Sequence, residues 1–242
     1  MLPWNRHELL DQLAKVSNLL SSGLVCEDAR KWLVGANLHA LPKASGGLRP
    51  VAVGETLRRL VSRMTIVPHK KKIDDYLGYM QIGVGVPGGA EAMTHVLRQW
   101  KCRNESDRTK VLVLTDLSNA FNNLDRSAFR EVVRRVIPEA GPWVDFCYEQ
   151  DSVLRLGKDG VWLESARGIQ QGDPLGPALF ALAIQEHIVA ARAEVEAHFP
   201  ALKNGGLDIV GFYLDDGAVA GKAESVRLFC DSLKKRLAEV GL

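Results

Sequence analysis

Cysteine is scarce and scattered in this sequence, and long apolar runs are missing. Four cysteines lie far apart among 242 residues, in neither a metal-ligand spacing nor a compact disulfide framework. No apolar run approaches the roughly 20 residues needed to span a bilayer, and the first residues lack the apolar core of a signal peptide. We therefore expect an intracellular protein without a membrane partner, and the sequence does not distinguish nucleus from cytoplasm.

The sequence also has little net charge, with a formal value of only +2. The charges are nevertheless uneven. Residues 1–110 hold 17 Lys and Arg against 10 Asp and Glu, a net of +7, and residues 111–242 hold 14 against 19, a net of −5. This division suits a protein that holds a polyanion on one side and metal ions on the other, but chance scatter of solvated charges explains it equally well.

Two adjacent carboxylates stand out near the C-terminus, in residues 211–217 (Gly-Phe-Tyr-Leu-Asp-Asp-Gly). Apolar residues lead into and out of the pair Asp215–Asp216, which predicts a tight β-hairpin with both acids at its tip. Such a pair costs folding free energy unless a cation neutralises it. A polar turn and a metal site both remain open for this stretch, because Asp and Gly are ordinary turn residues.

A third carboxylate, Asp116, follows the apolar run 111–114, which predicts a strand buried on both faces. A helix cap explains Asp116 alone. Facing the paired acids of a neighbouring hairpin, however, it would complete an oxygen-rich nest for hard divalent cations. Two such ions roughly 3.5–4 Å apart can activate a 3′-hydroxyl and stabilise a leaving pyrophosphate.

Other segments predict local structure around these acids. Residues 55–66 have a helical pattern with Leu57, Leu60, Val61 and Met64 inward and Arg58, Arg59 and Arg63 toward solvent or a ligand. Asn5 is a candidate cap for a first helix, and Gly-Lys-Asp-Gly at 157–160 predicts a hairpin turn.

Glycine-rich residues 81–89 are too irregular for a Rossmann or P-loop fingerprint. In residues 168–177, glycines permit close backbone approach and glutamines can hydrogen-bond a base or sugar edge.

The order of these pieces resembles the reverse transcriptase domain, most closely that of non-LTR (LINE-type) retrotransposons. The resemblance rests on five segments in family order: residues 48–61, 81–89, 114–121, 168–175 and 213–216. It implies an α/β fold of the right-hand polymerase type, with fingers and a palm whose antiparallel sheet is backed by helices. Residues 1–108 would form N-terminal helices and fingers, and residues 109–242 an incomplete palm, with 127–165 partly fingers. The thumb and primer grip would be absent, which implies a gene fragment or a truncated copy.

The resemblance also assigns roles to individual residues. Asp116, Asp215 and Asp216 match the catalytic carboxylates that hold two Mg²⁺, with Mn²⁺ as an alternative ion. Phe121 matches the steric gate set against the sugar 2′ position. The other nucleotide-binding matches are Lys43 and Arg49 for the triphosphate, Asn119 and Ala120 through their backbone amides, Gln171 and Gly172 along the nucleotide site, and Tyr213 and Leu214 beneath the primer end.

The implied activity is RNA-directed DNA polymerisation with an RNA template, a DNA or RNA primer and dNTPs. Two alternatives stay open at this point. One is a catalytically silent, truncated nucleic-acid-binding relic, and the other is an RNA-directed RNA polymerase, against which the aromatic ring of Phe121 argues. The sequence does not specify an oligomeric state, a host element or a target site.

Overall fold

Helices and strands alternate along the chain in the computed structural model, which describes residues 6–43, 46–157 and 160–242. The helices are α1 (Arg6–Ser21), α2 (Glu27–Val34), α3 (Thr56–Ile66), α4 (Lys70–Leu77), α5 (Gly89–Asn104), α6 (Ala120–Asn123), α7 (Arg126–Val136), α8 (Gly141–Tyr148), α9 (Gly176–His198) and α10 (Ala223–Ala238). The strands are β1 (Ala36–Pro42), β2 (Leu48–Gly54), β3 (Lys110–Asp116), β4 (Ser152–Leu156), β5 (Val161–Ser165), β6 (Leu207–Tyr213) and β7 (Asp216–Lys222). Asn5, the predicted cap, and Lys158 and Asp159 of the predicted hairpin turn lie outside the described residues.

The first sheet has four strands in the order β2-β1-β4-β5. Strands β1 and β2 form an antiparallel hairpin, β4 runs parallel to β1, and β5 returns antiparallel to β4. The chain therefore builds one hairpin of this sheet before strand β3 and the other hairpin after it. Residues 152–165 thus share a sheet with residues 36–54.

The second sheet is an antiparallel one in the order β3-β7-β6. Strands β6 and β7 form a hairpin joined through Leu214 and Asp215, which confirms the predicted hairpin. Asp116 at the end of β3 pairs with Asp216 at the start of β7. The expected fold class, α/β with an antiparallel sheet backed by helices, is confirmed.

Helix α9 lies in the centre of the core, and most of its residues from Gly176 to Ile188 are buried. Helices α4, α7 and α10 pack against it. It is apolar because it is surrounded by protein. Neither α9 nor any other helix in the described part of the chain is long and apolar enough to cross a bilayer.

The prediction that strand β3 is buried on both faces is wrong. Val111 and Val113 pack against the core, whereas Leu114 on the opposite face is 70% exposed. The apolar run thus belongs to a strand with one face on the core and the other face bordering an open groove. It does not belong to a strand that is covered on both faces.

The predicted inward face of α3 is wrong except at Val61, which is buried as expected. Residues 58, 61, 62 and 65 are buried, while Leu57, Leu60 and Met64 are exposed. Both sets recur at the same i, i+3, i+4, i+7 spacing, so helical periodicity alone does not choose between them. The face of Arg58 is the buried one because its guanidinium forms an ion pair with Asp173, a buried carboxylate on a distant segment.

Candidate active site

A cleft of about 760 Å³ opens between the two sheets and gathers most of the predicted site residues. Its lining includes Lys43, Arg49, Asp116, Asn119, Ala120, Phe121, Gln171, Gly172 and Asp215. These residues come from four separate parts of the sequence, so the fold assembles them. The lining also includes residues outside the predicted set of site residues: Pro50, Leu117, Ser118, Gln170, Asp173, Pro174, Gly176 and Pro177.

Two carboxylates, Asp116 and Asp215, face this cleft from the second sheet. Asp116 ends β3, and the amide of the next residue, Leu117, donates to the Asp215 carbonyl at 3.3 Å. Partial burial raises the pKa of Asp215, and the negative charges of Asp216 and Asp116 raise it further, against the opposing effect of Arg49. The neighbouring acidic side chains therefore disfavour the ionised form of Asp215, and Arg49 opposes them.

The third predicted carboxylate lines a different pocket. Asp216 lines a neighbouring groove of about 390 Å³ together with Tyr213 and Leu114, and none of these three side chains lines the main cleft. Asp215 lies in the hairpin loop and Asp216 begins β7, directly opposite Asp116, so the two adjacent acids line neighbouring pockets. All three carboxylates stay close together, because the charges of both Asp216 and Asp116 raise the pKa of Asp215.

The donor chemistry of the cleft fits a hard divalent cation, because carboxylate oxygens are the ligands that Mg²⁺ and Mn²⁺ prefer. In the described residues, however, no three His, Cys, Asp or Glu side chains stand close enough to hold one ion. Asp116 and Asp215 are the two carboxylates of the predicted metal site that line the cleft, and Asp216 lies beside them at the start of β7.

An aromatic ring forms one wall of the cleft. Phe121 lies in the short helix α6 and stacks on the buried ring of Phe180, with ring centroids 4.7 Å apart. Asn119, which precedes α6, has a left-handed backbone with φ of 52°. The Ala120 amide donates to the Leu117 carbonyl at 3.2 Å, a long bond with which a bound phosphate would have to compete.

The loop of residues 168–172 is held on two sides by backbone hydrogen bonds. The Ile169 amide donates to the Phe121 carbonyl at 2.6 Å, and the Ala52 amide of β2 donates to the Gln171 carbonyl at 2.9 Å. The loop therefore ties the aromatic wall to the first sheet. The backbone of the loop can lie this close to β2 because residue 172 is a glycine. An added Cβ at Gly172 would sit 2.6 Å from the Ala52 carbonyl oxygen.

We predict that Gly172→Ala destabilises the protein by about 2–4 kcal/mol, because it adds a steric clash to an unfavourable positive φ of 130°. Gly157→Ala is the matched control, since Gly157 also has a positive φ of 69° but no atom of the described residues lies within 4 Å of its added Cβ. We expect the control to cost only about 1 kcal/mol. Urea denaturation of both variants tests this, and equal losses of stability would contradict the close packing of the loop.

The basic side of the cleft comes from the β1–β2 hairpin. Lys43 and Arg49 both line it and are exposed. The charge of Arg49 lowers the pKa of Asp215, which places the guanidinium within electrostatic reach of that carboxylate. An exposed guanidinium beside a carboxylate-lined cleft is well suited to bind phosphate. Residues 44 and 45 of this hairpin lie outside the described residues.

A buried polar network supports the cleft from below. Arg58 is 1% exposed, and its guanidinium donates to Asp173 Oδ2 at 2.9 Å and to Gln170 Oε1 at 2.6 Å. Tyr148 Oη donates to the same Asp173 oxygen at 2.8 Å. Burial by itself would lower the pKa of Arg58, but the surrounding acidic groups outweigh it and raise this pKa, so the guanidinium stays charged.

The sequence did not predict this network, because it placed Arg58 on the face of its helix toward solvent or a ligand. Asp173 also accepts a hydrogen bond from the Leu175 amide at 3.0 Å, just before α9 begins at Gly176. The one available signal was an arginine and an aspartate within two of the five family segments, 48–61 and 168–175. Nothing in their spacing shows that the two side chains meet.

Comparison with known families gives one match that covers most of the chain. Residues 41–242 match the model for "Reverse transcriptase (RNA-dependent DNA polymerase)". The matched range includes every residue of the predicted site. Family membership predicted from the five ordered segments is thereby confirmed.

Individual relatives are distant and much longer. The retrotransposable element SLACS 132 kDa protein of Trypanosoma brucei gambiense is 24% identical over 95% of this chain, which spans 18% of that protein. A putative COX1/OXI3 intron 1 protein of Saccharomyces cerevisiae is 22% identical over 74% of this chain and 21% of its own length. Apo telomerase from Candida tropicalis has a similar fold, with a TM-score of 0.58 at 13% identity over 94% of this chain and 53% of that structure.

Proposed function

The chain belongs to the reverse transcriptase (RNA-dependent DNA polymerase) family, and on that premise we propose that it adds deoxynucleotides to a primer 3′-hydroxyl on an RNA template. One observation carries the proposal: a single cleft gathers Asp116, Asp215, Phe121, Arg49 and Lys43. The cleft thus offers carboxylates, an aromatic ring and positively charged side chains, which are the groups that binding a nucleoside triphosphate requires. The chain spans less than a quarter of each curated relative, so the activity of any longer protein is part of this proposal.

In the proposed reaction, the primer 3′-oxygen attacks the α-phosphorus of the dNTP, and the bond to the β-phosphate oxygen breaks and releases pyrophosphate. The guanidinium of Arg49 and the ammonium of Lys43 bind and orient the triphosphate. Asp116 and Asp215 would hold divalent ions, whose chemistry when bound is to activate the hydroxyl and to neutralise the phosphate charge. Enzymes of this family generally use divalent metals.

The two sheets provide a structural basis for the proposed subdomains. We assign the first sheet, β2-β1-β4-β5, to the fingers and the second, β3-β7-β6, to the palm. With this assignment residues 152–165 belong to the fingers although they follow the first palm strand. The neighbouring groove lined by Tyr213 and Asp216 would then hold the primer end, and Leu214 follows Tyr213 in the loop between β6 and β7.

We predict that Phe121→Val lowers the preference for dNTPs over rNTPs by about 10- to 100-fold. The smaller side chain leaves room for a 2′-hydroxyl in the cleft. Single-nucleotide incorporation with each dNTP and rNTP pair measures the ratio. Phe199→Val is the control, because Phe199 packs beside His198 at the end of α9 and does not line the cleft. An unchanged ratio in Phe121→Val would rule out the gate.

The proposed function is tested by primer extension on an RNA template with Mg²⁺ and dNTPs. Extension that requires Asp116 and Asp215 supports it. A chain that binds RNA but extends no primer under any divalent cation would instead favour the silent relic, and a preference for rNTPs would favour an RNA polymerase. The assay therefore separates all three candidates.

A further inference from the structure

The segment behind the carboxylate hairpin carries a contact that the proposed chemistry does not use. Gln81 begins the glycine-rich segment 81–89 and forms an isolated parallel bridge with Phe212 of β6. The Ile82 amide donates to the Phe212 carbonyl at 2.8 Å. An added Cβ at Gly83 would sit 2.9 Å from the backbone nitrogen of Leu214, so the segment lies directly against the hairpin loop.

Gln81 reaches the hairpin loop with its side chain. It is fully buried, and its Oε1 accepts a hydrogen bond from the Leu214 amide at 3.0 Å. Leu214 has a left-handed backbone with φ of 59°, a conformation that is unfavourable for leucine. The next residue is Asp215, which lines the cleft. The Gln81 side chain thus contacts the strained residue that precedes a cleft carboxylate.

Gln81 makes this contact at a cost to stability. Its Nε2 is buried and finds no hydrogen-bond partner among the described residues. A buried, unpaired amide group destabilises a fold, and an unbranched apolar side chain of similar volume would avoid that penalty. Such a side chain would, however, leave the Leu214 amide without its acceptor, so the bond to the hairpin is what explains a glutamine here.

We propose that Gln81 is a positioning residue, which holds Leu214 in its left-handed conformation and thereby directs the Asp215 carboxylate into the cleft. The proposal rests on the proposed function for its catalytic consequence. Its structural part, the restraint on Leu214, stands independently of activity. The experiment below measures both parts separately.

The structural part is tested by amide hydrogen exchange in Gln81→Met, in the chain without added metal. We expect exchange at the Leu214 amide to become about 3- to 10-fold faster, the factor that one hydrogen bond of ordinary strength supplies. We expect the melting temperature to change little, because removal of the unpaired Nε2 offsets the loss of the acceptor for the Leu214 amide. Unchanged exchange at Leu214 would overturn the proposal.

Gln185→Met is the matched control. Gln185 is also buried, donates through Nε2 to the Leu77 carbonyl at 2.7 Å, and has an Oε1 without a partner among the described residues. Its bond goes to the end of α4 and not to the hairpin. We expect Gln185→Met to leave Leu214 exchange unchanged, and an equal acceleration in both variants would show that a loosened core, not the lost Gln81 bond, is responsible.

The catalytic part is tested by steady-state dNTP addition and by a double-mutant cycle. We expect Gln81→Met to lower kcat at least about 10-fold with KM for dNTP within about twofold, because Gln81 does not line the cleft. The same substitution in a Leu214→Gly background should cost less, since glycine adopts a positive φ without strain. Additive losses would overturn the positioning role.

These outcomes separate the two hypotheses. If Asp215→Asn leaves nucleotide addition intact, the proposed function fails, while faster Leu214 exchange in Gln81→Met still supports the restraint. If Asp215→Asn abolishes addition but Gln81→Met leaves both Leu214 exchange and kcat unchanged, the inference about Gln81 fails alone.

Discussion

Asp215→Asn is expected to keep the fold at least as stable as the wild-type chain while weakening divalent-cation binding at least about 10-fold, or 1.4 kcal/mol. Partial burial, Asp216 and Asp116 raise the pKa of Asp215 in the folded protein. A carboxyl group with a raised folded-state pKa destabilises the fold once the pH exceeds its unfolded-state pKa. Replacing the Asp215 carboxylate with the neutral amide of asparagine removes that destabilisation at pH 7, and it also removes a metal ligand.

The measurement is a pair of experiments without nucleic acid. Mn²⁺ titration followed by electron paramagnetic resonance gives the affinity, and thermal unfolding in a chelator gives the stability. Asp216→Asn is the control, because Asp216 lines the neighbouring groove and not the cleft. We expect Asp216→Asn to weaken Mn²⁺ binding less than Asp215→Asn does. Equal affinity of the wild-type and Asp215→Asn chains for Mn²⁺ would mean that the cleft is not the metal site.

Arg58→Met is expected to cost about 3–5 kcal/mol of unfolding free energy, whereas Arg59→Met should cost no more than about 0.5 kcal/mol. Removing the Arg58 guanidinium leaves the carboxylate of Asp173 buried and without its cation, and it removes the hydrogen bond to Gln170. Arg59 is exposed on the same helix. The two neighbours thus differ in burial and not in residue type.

Urea denaturation of the two variants measures this difference. The double variant Arg58→Met/Asp173→Leu separates two causes of destabilisation, because it removes both charges together. It should recover part of the lost stability if the unpaired carboxylate is the main cost. Equal stability of Arg58→Met and Arg59→Met would contradict the buried position of Arg58.

The sequence predicted the elements of this site better than it predicted their surroundings. Asp116 at a strand end and Asp215 in a tight hairpin follow from local patterns, since each depends on apolar runs and turn residues beside it in the chain. The order of five segments then identified the family, which the match over residues 41–242 confirms. Local pattern and family order together were enough to find the cleft.

What the sequence did not predict depends on contacts between distant segments. The inward face of α3 is set by the ion pair of Arg58 with Asp173, 115 residues away. The position of Asp216 opposite Asp116 follows from the pairing of β7 with β3, which only the assembled sheet defines. Gln81 offers no local signal, because its bond to Leu214 spans 133 residues.

The most direct test of the central claim is RNA-templated primer extension with dNTPs and Mg²⁺ by the wild-type and Asp215→Asn chains side by side. If the cleft is the centre of nucleotidyl transfer, the wild-type chain extends the primer and the variant does so at least about 1,000-fold more slowly, a loss of about 4 kcal/mol of transition-state stabilisation. Equal extension by both chains would contradict the account.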